Sequence, residues 1–281
     1  MICQGGCDTV RGRNEPNFFI SVDIARNKTI EAGLQEFIAG NIINDYMCET
    51  CDKKVDIESR NYIDQLPNVL ILHLKRFAFN FDTLRNEKIN SRVEFPPTLN
   101  VLPYHIDNTK EGEEHNLEEY DYELVGIVVH SGTADGGHYY SYIRHRLPDG
   151  SLDPEKWFEF NDSSIKVYNS SNIESDCFGK SEQSLEDATA SWYKTVSVDN
   201  RKNAYCLFYE RKIKSDIRLV IEGSGEEEKC EMRSFKDHQK FVPDNVFHEV
   251  LKSNEKYMFE KHMYAEEYFK YLIDLFGNAT Y

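Results

Sequence analysis

Two pairs of cysteines, Cys3/Cys7 and Cys48/Cys51, stand far apart in the chain yet share a ligand-like spacing. Cys48-Glu49-Thr50-Cys51 is a C-x₂-C knuckle. Cys3-Gln4-Gly5-Gly6-Cys7 is a looser C-x₃-C knuckle, with two glycines that let the backbone fold round an ion. Two such knuckles supply four thiolates to a tetrahedral zinc, each at about 2.3 Å. The chain must then return from residue 48 to its own beginning, a non-local closure that any fold has to satisfy. Four sulfurs leave no open position, so the expected metal is structural. The alternative is four reduced thiols without metal.

Charge narrows the function classes. The chain has 33 Lys+Arg against 49 Asp+Glu, a net charge of −16. That balance lacks the basic footprint of a nucleic-acid binder, so no nucleic-acid partner is expected. A partner with basic patches remains compatible. Hydrophobic residues at 40% and aromatics at 13% can build a sizeable core. No run approaches the length of a membrane-spanning helix, so no membrane partner is expected. The start, Met1-Ile2-Cys3-Gln4-Gly5, lacks the charged and apolar regions of a signal peptide. An odd count of seven cysteines with two close pairs points to metal before disulfides. The expectation is an intracellular protein of the cytoplasm or nucleus.

The chain reads as an α+β fold. Residues 1–65 hold the knuckles, 66–211 are rich in strand signals, 212–242 read as an acidic linker, and 243–281 as a helical segment. Pro67 precedes Val69-Leu70-Ile71-Leu72-His73-Leu74, an apolar run that suits a buried strand. Tyr122 to His130 and Gly137 to Arg144 are two more, and the short glycine-rich link between them predicts an antiparallel hairpin. Trp157 to Phe160 and Asn203 to Arg211 follow, the last alternating Ala204/Cys206/Phe208 with Tyr205/Leu207/Tyr209. Residues 107–121, with seven acids and one lysine, read as a solvated insertion loop. Beyond Pro243, Phe247, Val250, Leu251, Tyr257, Met258, Ala265, Tyr268, Leu272 and Phe276 form a stripe at helical spacing, a packing surface.

Chemistry gathers at Gly136-Gly137-His138, followed by Phe160-Asn161-Asp162. His138 begins a strand after a Gly-Gly turn, and Asn161 ends the next strand. A histidine oriented by an amide or carboxylate is two-thirds of a nucleophilic triad. Histidine before asparagine, with a cysteine upstream, is the order of papain-like cysteine proteases.

Several blocks then share one resemblance. Leu66-Pro67-Asn68-Val69-Leu70 with Leu74-Lys75-Arg76-Phe77, YELVGIVVHSG from Tyr122, GGHYYSYIR from Gly136, Trp157 to Asp162 and NAYCLFYER from Asn203 resemble, in order, the blocks of ubiquitin-specific proteases. The knuckles resemble that family's zinc-bearing fingers. Asp176-Cys177-Phe178-Gly179 and the segment from Lys261 to Phe269 resemble the fat-facets type.

The resemblance implies a papain-like fold of fingers (1–65), palm (66–211) and thumb. It implies hydrolysis of isopeptide or peptide bonds after the C-terminal glycine of ubiquitin, with ubiquitin and ubiquitinated proteins as partners. His138 would be the general base, Asn161 its orienting partner and Asp162 a supporting acid. Gly136 and Gly137 would flank the channel for ubiquitin's Gly-Gly end. Cys3, Cys7, Cys48 and Cys51 would hold structural Zn²⁺, with no catalytic cofactor.

The family's Cys box, patterned GNTCYMNS, is not among these residues. The expectation is a fragment without most of the thumb, inert alone. Cys206 reads as a small core residue. Cys177 and Cys230 sit beside acids, which weaken a nucleophilic thiol. A ubiquitin-binding module without activity and a scaffold fragment are the competing readings.

Overall fold

The computed structural model describes residues 1–5, 7, 9–110, 112, 114–147, 150–180, 202–215, 217–221, 229–233, 244–263 and 266–277. The chain divides into two units, Met1–Lys214 and Ser215–Tyr281. In the first, the strands are β1 (Ile2–Cys3), β2 (Ile20–Val22), β3 (Asn41–Cys48), β4 (Lys53–Ser59), β5 (Val69–Leu74), β6 (Phe77–Asn80), β7 (Arg85–Lys88), β8 (Thr98–Asn100), β9 (Asp121–Gly132), β10 (Gly137–Arg146), β11 (Leu152–Asn161), β12 (Ser164–Asn169) and β13 (Lys202–Arg211). Two short helices, α1 (Ile30–Ile38) and α2 (Ile173–Cys177), join them. An eight-stranded sheet runs β12-β11-β10-β9-β13-β5-β2, with β8 pairing β9. A three-stranded sheet, β1-β4-β3, carries the knuckles, and β6 and β7 form a separate hairpin.

The segment 1–65, expected as one finger region, is divided. Val22 of β2 pairs in parallel with Leu74 of β5, and Ile30 and Leu34 of α1 are fully buried in the main core. Thr29 caps α1, its Oγ1 accepting from the Ala32 amide at 3.1 Å. Only β1, β3 and β4 stand apart.

One face of the large sheet makes the core, with Leu70, Leu72 and Leu74 of β5 inward. On β9 the inward set is Tyr122, Leu124, Ile127 and Val129. The phase slips by one residue between Leu124 and Ile127. There the partner strand runs directly from Phe208 to Tyr209 while β9 steps from Gly126 to Leu124, a bulge at Val125. A second bulge, at Tyr205, corrects the expected alternation of β13. Ala204 shares the inward face with Leu207 and Tyr209, and Cys206 is half buried on the other face rather than in the core.

The opposite face of the sheet is also apolar. Val69, Tyr139, Ile143, Phe160, Ile165 and Val167 are exposed. Ile143, Phe158, Phe160 and Ile165 line an open groove of about 230 Å³ with the stems of Arg144 and Arg146. This second apolar face is why β5 reads as a continuous apolar run although Val69 is 40% exposed.

The acidic stretch 107–121 is more than a solvated loop. Two 3-10 turns, Ile106–Thr109 and Leu117–Tyr120, bracket it, and Tyr120 is buried. The Tyr120 hydroxyl and the Lys110 ammonium both donate to Asp107 at 2.7 Å, Lys110 first among the causes that hold Asp107 down at about 2.

The strongest long-range tie is Arg76, at the end of β5, fully buried. Its guanidinium donates to the carbonyls of Ala204 (3.1 Å), Ile89 (3.1 Å), Ser91 (2.7 Å) and Phe178 (3.4 Å). Burial lowers its pKa to about 10, so it stays charged at neutral pH.

The second unit corrects the expected linker. Ile217–Ile221 (β14) and Lys229–Arg233 (β15) pair antiparallel within 212–242. The helical segment is two helices, α3 (Asp244–Met263) and α4 (Glu266–Gly277). Of the expected stripe, Val250, Leu251, Tyr257 and Met258 are exposed, while Tyr268 and Leu272 are half buried. The side chains of Phe247, Ala265 and Phe276 lie outside the described residues, as does that of Cys230.

Removing the Arg76 fork takes a charged donor from four carbonyls, of which that of Phe178 keeps the Val93 amide. Arg76→Lys, whose ammonium cannot span them, is expected to lower stability by about 2–4 kcal/mol. Urea unfolding followed by tryptophan fluorescence checks this; a midpoint equal to wild type refutes it.

Candidate active site and metal centre

His138 lies on β10 opposite Ser131 of β9. The hairpin between these strands closes when the Thr133 amide donates to the Gly136 carbonyl at 2.9 Å. Gly132 has φ +136, and a side chain there would strike the Gly136 carbonyl at 2.5 Å, so this position requires glycine. The sequence reading missed it. Of the two glycines singled out, Gly137 is also sterically required, but by the protein itself: a Cβ would lie 2.3 Å from His130 Nε2. At Gly136 a Cβ would meet nothing within 4 Å.

Across β10 and β11, Ser141 opposes Phe160, which brings the end of β11 beside the start of β10. His138 Nε2 lies 2.7 Å from Asn161 Oδ1. A carbonyl oxygen only accepts, so Nε2 carries the proton and Nδ1 is left with a lone pair. Asp162 takes the left-handed conformation, φ 50, in the tight turn to β12, which aspartate tolerates. Its carboxylate is 3.9 Å from the same Nε2 and well exposed, too far for a hydrogen bond. Asn161 is therefore the direct partner of the ring, and Asp162 a nearby charge.

Beside the hairpin is an aromatic wall absent from the sequence reading. His130 packs against Tyr139 (4.6 Å) and Phe77 (5.2 Å), and Tyr205 lies 5.3 Å from Tyr139. These residues come from four strands, and only pairing of β9 with β10 and β13 unites them. Burial, then Lys88, lowers the His130 pKa to about 4, so it is neutral where His138 works.

Among the described residues, no thiol is hydrogen-bonded to His138. Cys177 is fully buried, and burial followed by Asp176 pushes its thiol far above the usual range. Burial lifts Cys206 to about 11. Neither has the exposed, electropositive setting of a nucleophile.

The knuckles do meet. β1 pairs with β4, and β4 with β3, so Cys3, Cys7, Cys48 and Cys51 converge at one end of the small sheet. Their sulfurs all lie within 4.8 Å of one another. Cys3 Sγ is 3.7 Å from Cys51 Sγ, and Cys7 Sγ is 3.8 Å from Cys48 Sγ. Sulfurs about 2.3 Å from a tetrahedral ion are about 3.8 Å apart, so the cluster has the size for one metal. The Gly5 amide points at Cys3 Sγ, 3.3 Å away, as donors do around a thiolate.

Residues 20–209 match the family profile of ubiquitin carboxyl-terminal hydrolase. The chain belongs to this family. It is 34% identical over 221 residues to human ubiquitin carboxyl-terminal hydrolase 34, covering 73% of this chain and 6% of that protein. Against human ubiquitin carboxyl-terminal hydrolase 9Y it is 32% identical over 301 residues, covering 96% and 11%. Against the Drosophila melanogaster protein named probable ubiquitin carboxyl-terminal hydrolase FAF, identity is 29%, with 96% and 10% covered. The chain thus spans about a tenth or less of these relatives. Among solved structures, the SAGA Ubp8/Sgf11/Sus1/Sgf73 DUB module bound to ubiquitin aldehyde aligns with TM-score 0.55 and 27% identity. That match covers 76% of this chain and 40% of the other. A second structure of the module, bound to monoubiquitin, gives 0.54 and 26%. The α+β fold is the papain-like fold of this family. No described helix is long and apolar enough to cross a membrane.

The metal cluster predicts a stoichiometry. Purified protein should hold about one zinc, lost in the double variant Cys48→Ser, Cys51→Ser. Native mass spectrometry reads this; equal zinc in both proteins would remove the assignment.

Proposed function

We propose that this chain is the histidine-bearing part of a cysteine-type deubiquitinase that cleaves isopeptide and peptide bonds after the C-terminal glycine of ubiquitin. The observation that carries the reading is the 2.7 Å contact between His138 Nε2 and Asn161 Oδ1, which leaves Nδ1 free to take a thiol proton. His138 is the general base, Asn161 orients it, and Asp162 adds a negative charge nearby. The thiolate attacks the carbonyl carbon of ubiquitin's terminal glycine. The protonated imidazole then gives its proton to the leaving amine, and water hydrolyses the thioester.

The thiol comes from a segment outside these 281 residues. The wall of Phe77, Tyr139 and Tyr205 beside Gly136 and Gly137 suits an extended substrate tail that ends in glycines. In the cluster of Cys3, Cys7, Cys48 and Cys51 the ion is zinc, closed to substrate by its four thiolates, and its role is to hold the small sheet. Ubiquitin and ubiquitinated proteins are the partners. Thiolate ligands suit the reducing cytoplasm or nucleus.

These 281 residues alone are expected to be inert toward a ubiquitin C-terminal fluorogenic substrate and toward a ubiquitin vinyl-type electrophile, since burial raises the thiols of Cys177 and Cys206 and the four knuckle cysteines are gathered in their own cluster. Adding a Cys-box segment from a fat-facets-type enzyme, covalently or as a separate chain, should restore hydrolysis. His138→Ala should abolish it about as fully as loss of the thiol, because triad members act as a unit. Asn161→Ala should cost less, and ubiquitin binding should survive both. Near-normal turnover with His138→Ala would overturn the assignment. Strong labelling of Cys177 or Cys206 would point to a different nucleophile.

A further inference from the structure

We propose that Tyr140 is a positioning residue for His138, holding the plane of the imidazole that Asn161 holds at one atom. This rests on the reading of His138 as the base. A single hydrogen bond at Nε2 fixes where one ring atom lies but not the tilt of the ring about that contact. Nδ1 must nevertheless point at the incoming thiol, so the tilt matters to proton transfer.

The structure supplies the missing constraint. Tyr140 stands two residues along β10, on the same side of the strand as His138. The two rings are nearly parallel, 21° apart, with centroids at 6.2 Å, an offset stack. Tyr140 is not itself a loose surface ring. It meets the buried Tyr142 edge-on at 5.5 Å, and Tyr142 lies flat on Tyr168 at 3.7 Å and 20°. Tyr142 and Tyr168 are 2% and 8% exposed. The Tyr168 hydroxyl donates to Asp176 at 3.1 Å, and Lys202 pairs with the same carboxylate at 2.8 Å. The column therefore runs from an ion pair on α2 and β13, through three tyrosines, to the face of the candidate base.

The chemistry favours a ring at this position. Asn161 is neutral, so it orients the imidazole without balancing the positive charge that forms when the thiol gives up its proton. Among the described residues, the one carboxylate paired with the ring, that of Asp162, is 3.9 Å away and exposed to screening water. The Tyr140 ring, its centroid 6.2 Å from that of the imidazole, lies at the outer reach of a cation–π contact with that charge and is present before the reaction begins.

The test reads the ring directly and needs no turnover. The full 281-residue chain is labelled with ¹⁵N-histidine, and the His138 ring nitrogens are assigned by comparison with His138→Gln. Spectra are recorded at about pH 8.5, above the ordinary imidazole range. In wild type the nitrogen shifts should report the Nε2–H tautomer, and Asn161→Ala should move them toward the mixture of free imidazole. Tyr140→Leu should move them at least about half as far, because the ring swings out of line with Asn161. Tyr140→Phe, which keeps the ring face and loses only the hydroxyl, should restore wild-type values. If Tyr140→Leu does not fold, Tyr140→Val, β-branched and suited to a strand, is read in its place. Wild-type shifts in the folded aliphatic variant overturn the proposal, as does a Tyr140→Phe spectrum displaced as far as that variant. Failure of the reconstituted hydrolysis would count against the deubiquitinase reading and leave this spectrum unchanged, so the two failures are distinguishable.

Discussion

A guanidinium buried with no counter-charge among the described residues governs the main unit. Arg76 ends β5 and gives its protons to four carbonyls, on β13, on the segment after β7, and at Phe178 after α2. Charge-assisted bonds of this kind are strong only when every partner is in place, and a half-satisfied buried cation is strongly destabilising. Four stretches that are remote in sequence must therefore arrive together. The next residue, Phe77, opens the β6–β7 hairpin and packs on His130. Directly opposite Phe77 in that hairpin, Lys88 donates to the His130 carbonyl at 2.9 Å. The tie at Arg76 thus extends to the strand that pairs with His138.

The two chemical centres are built on different principles. The histidine sits at a strand end, half exposed, with one neutral hydrogen-bond partner and a stacked ring. Its surroundings hold geometry more than charge. The cysteine cluster is a closure: sulfurs brought together at one end of the small sheet, from its two outer strands and the turns beside them, come within reach of one ion. Little apolar burial holds that sheet. Ile42, Ile43 and Met47 of β3 are exposed, and Ile57 is one of few buried side chains there. A metal held by the four cysteines would compensate for a thin core. The large sheet needs no such tie on its inner face, where Leu72, Ile127, Val129 and Leu207 are fully buried.

The features legible in the residue order were local and periodic. The knuckle spacing named the four sulfurs, and the apolar runs placed β5, β9, β10, β11 and β13 close to where they lie. The glycine-rich link after β9 announced the hairpin. His138 and Asn161 were legible because their order and flanking blocks resemble a known family. The register of pairing decided the rest. The bulge at Tyr205 moved Ala204 to the core face and Cys206 off it, and that at Val125 shifted the inward set of β9, because one extra residue flips every later side chain. That shift is set by the partner strand and leaves no mark in the periodicity of either strand. Gly137 reads as room for a substrate, whereas the fold uses it as room for His130. The 2.7 Å contact of Asn161 with His138 depended on the pairing of β10 with β11, and the column behind Tyr140 on Tyr142 and Tyr168 meeting from different strands. Contacts between residues distant in the chain follow from three-dimensional packing, and one-dimensional pattern carries no term for it.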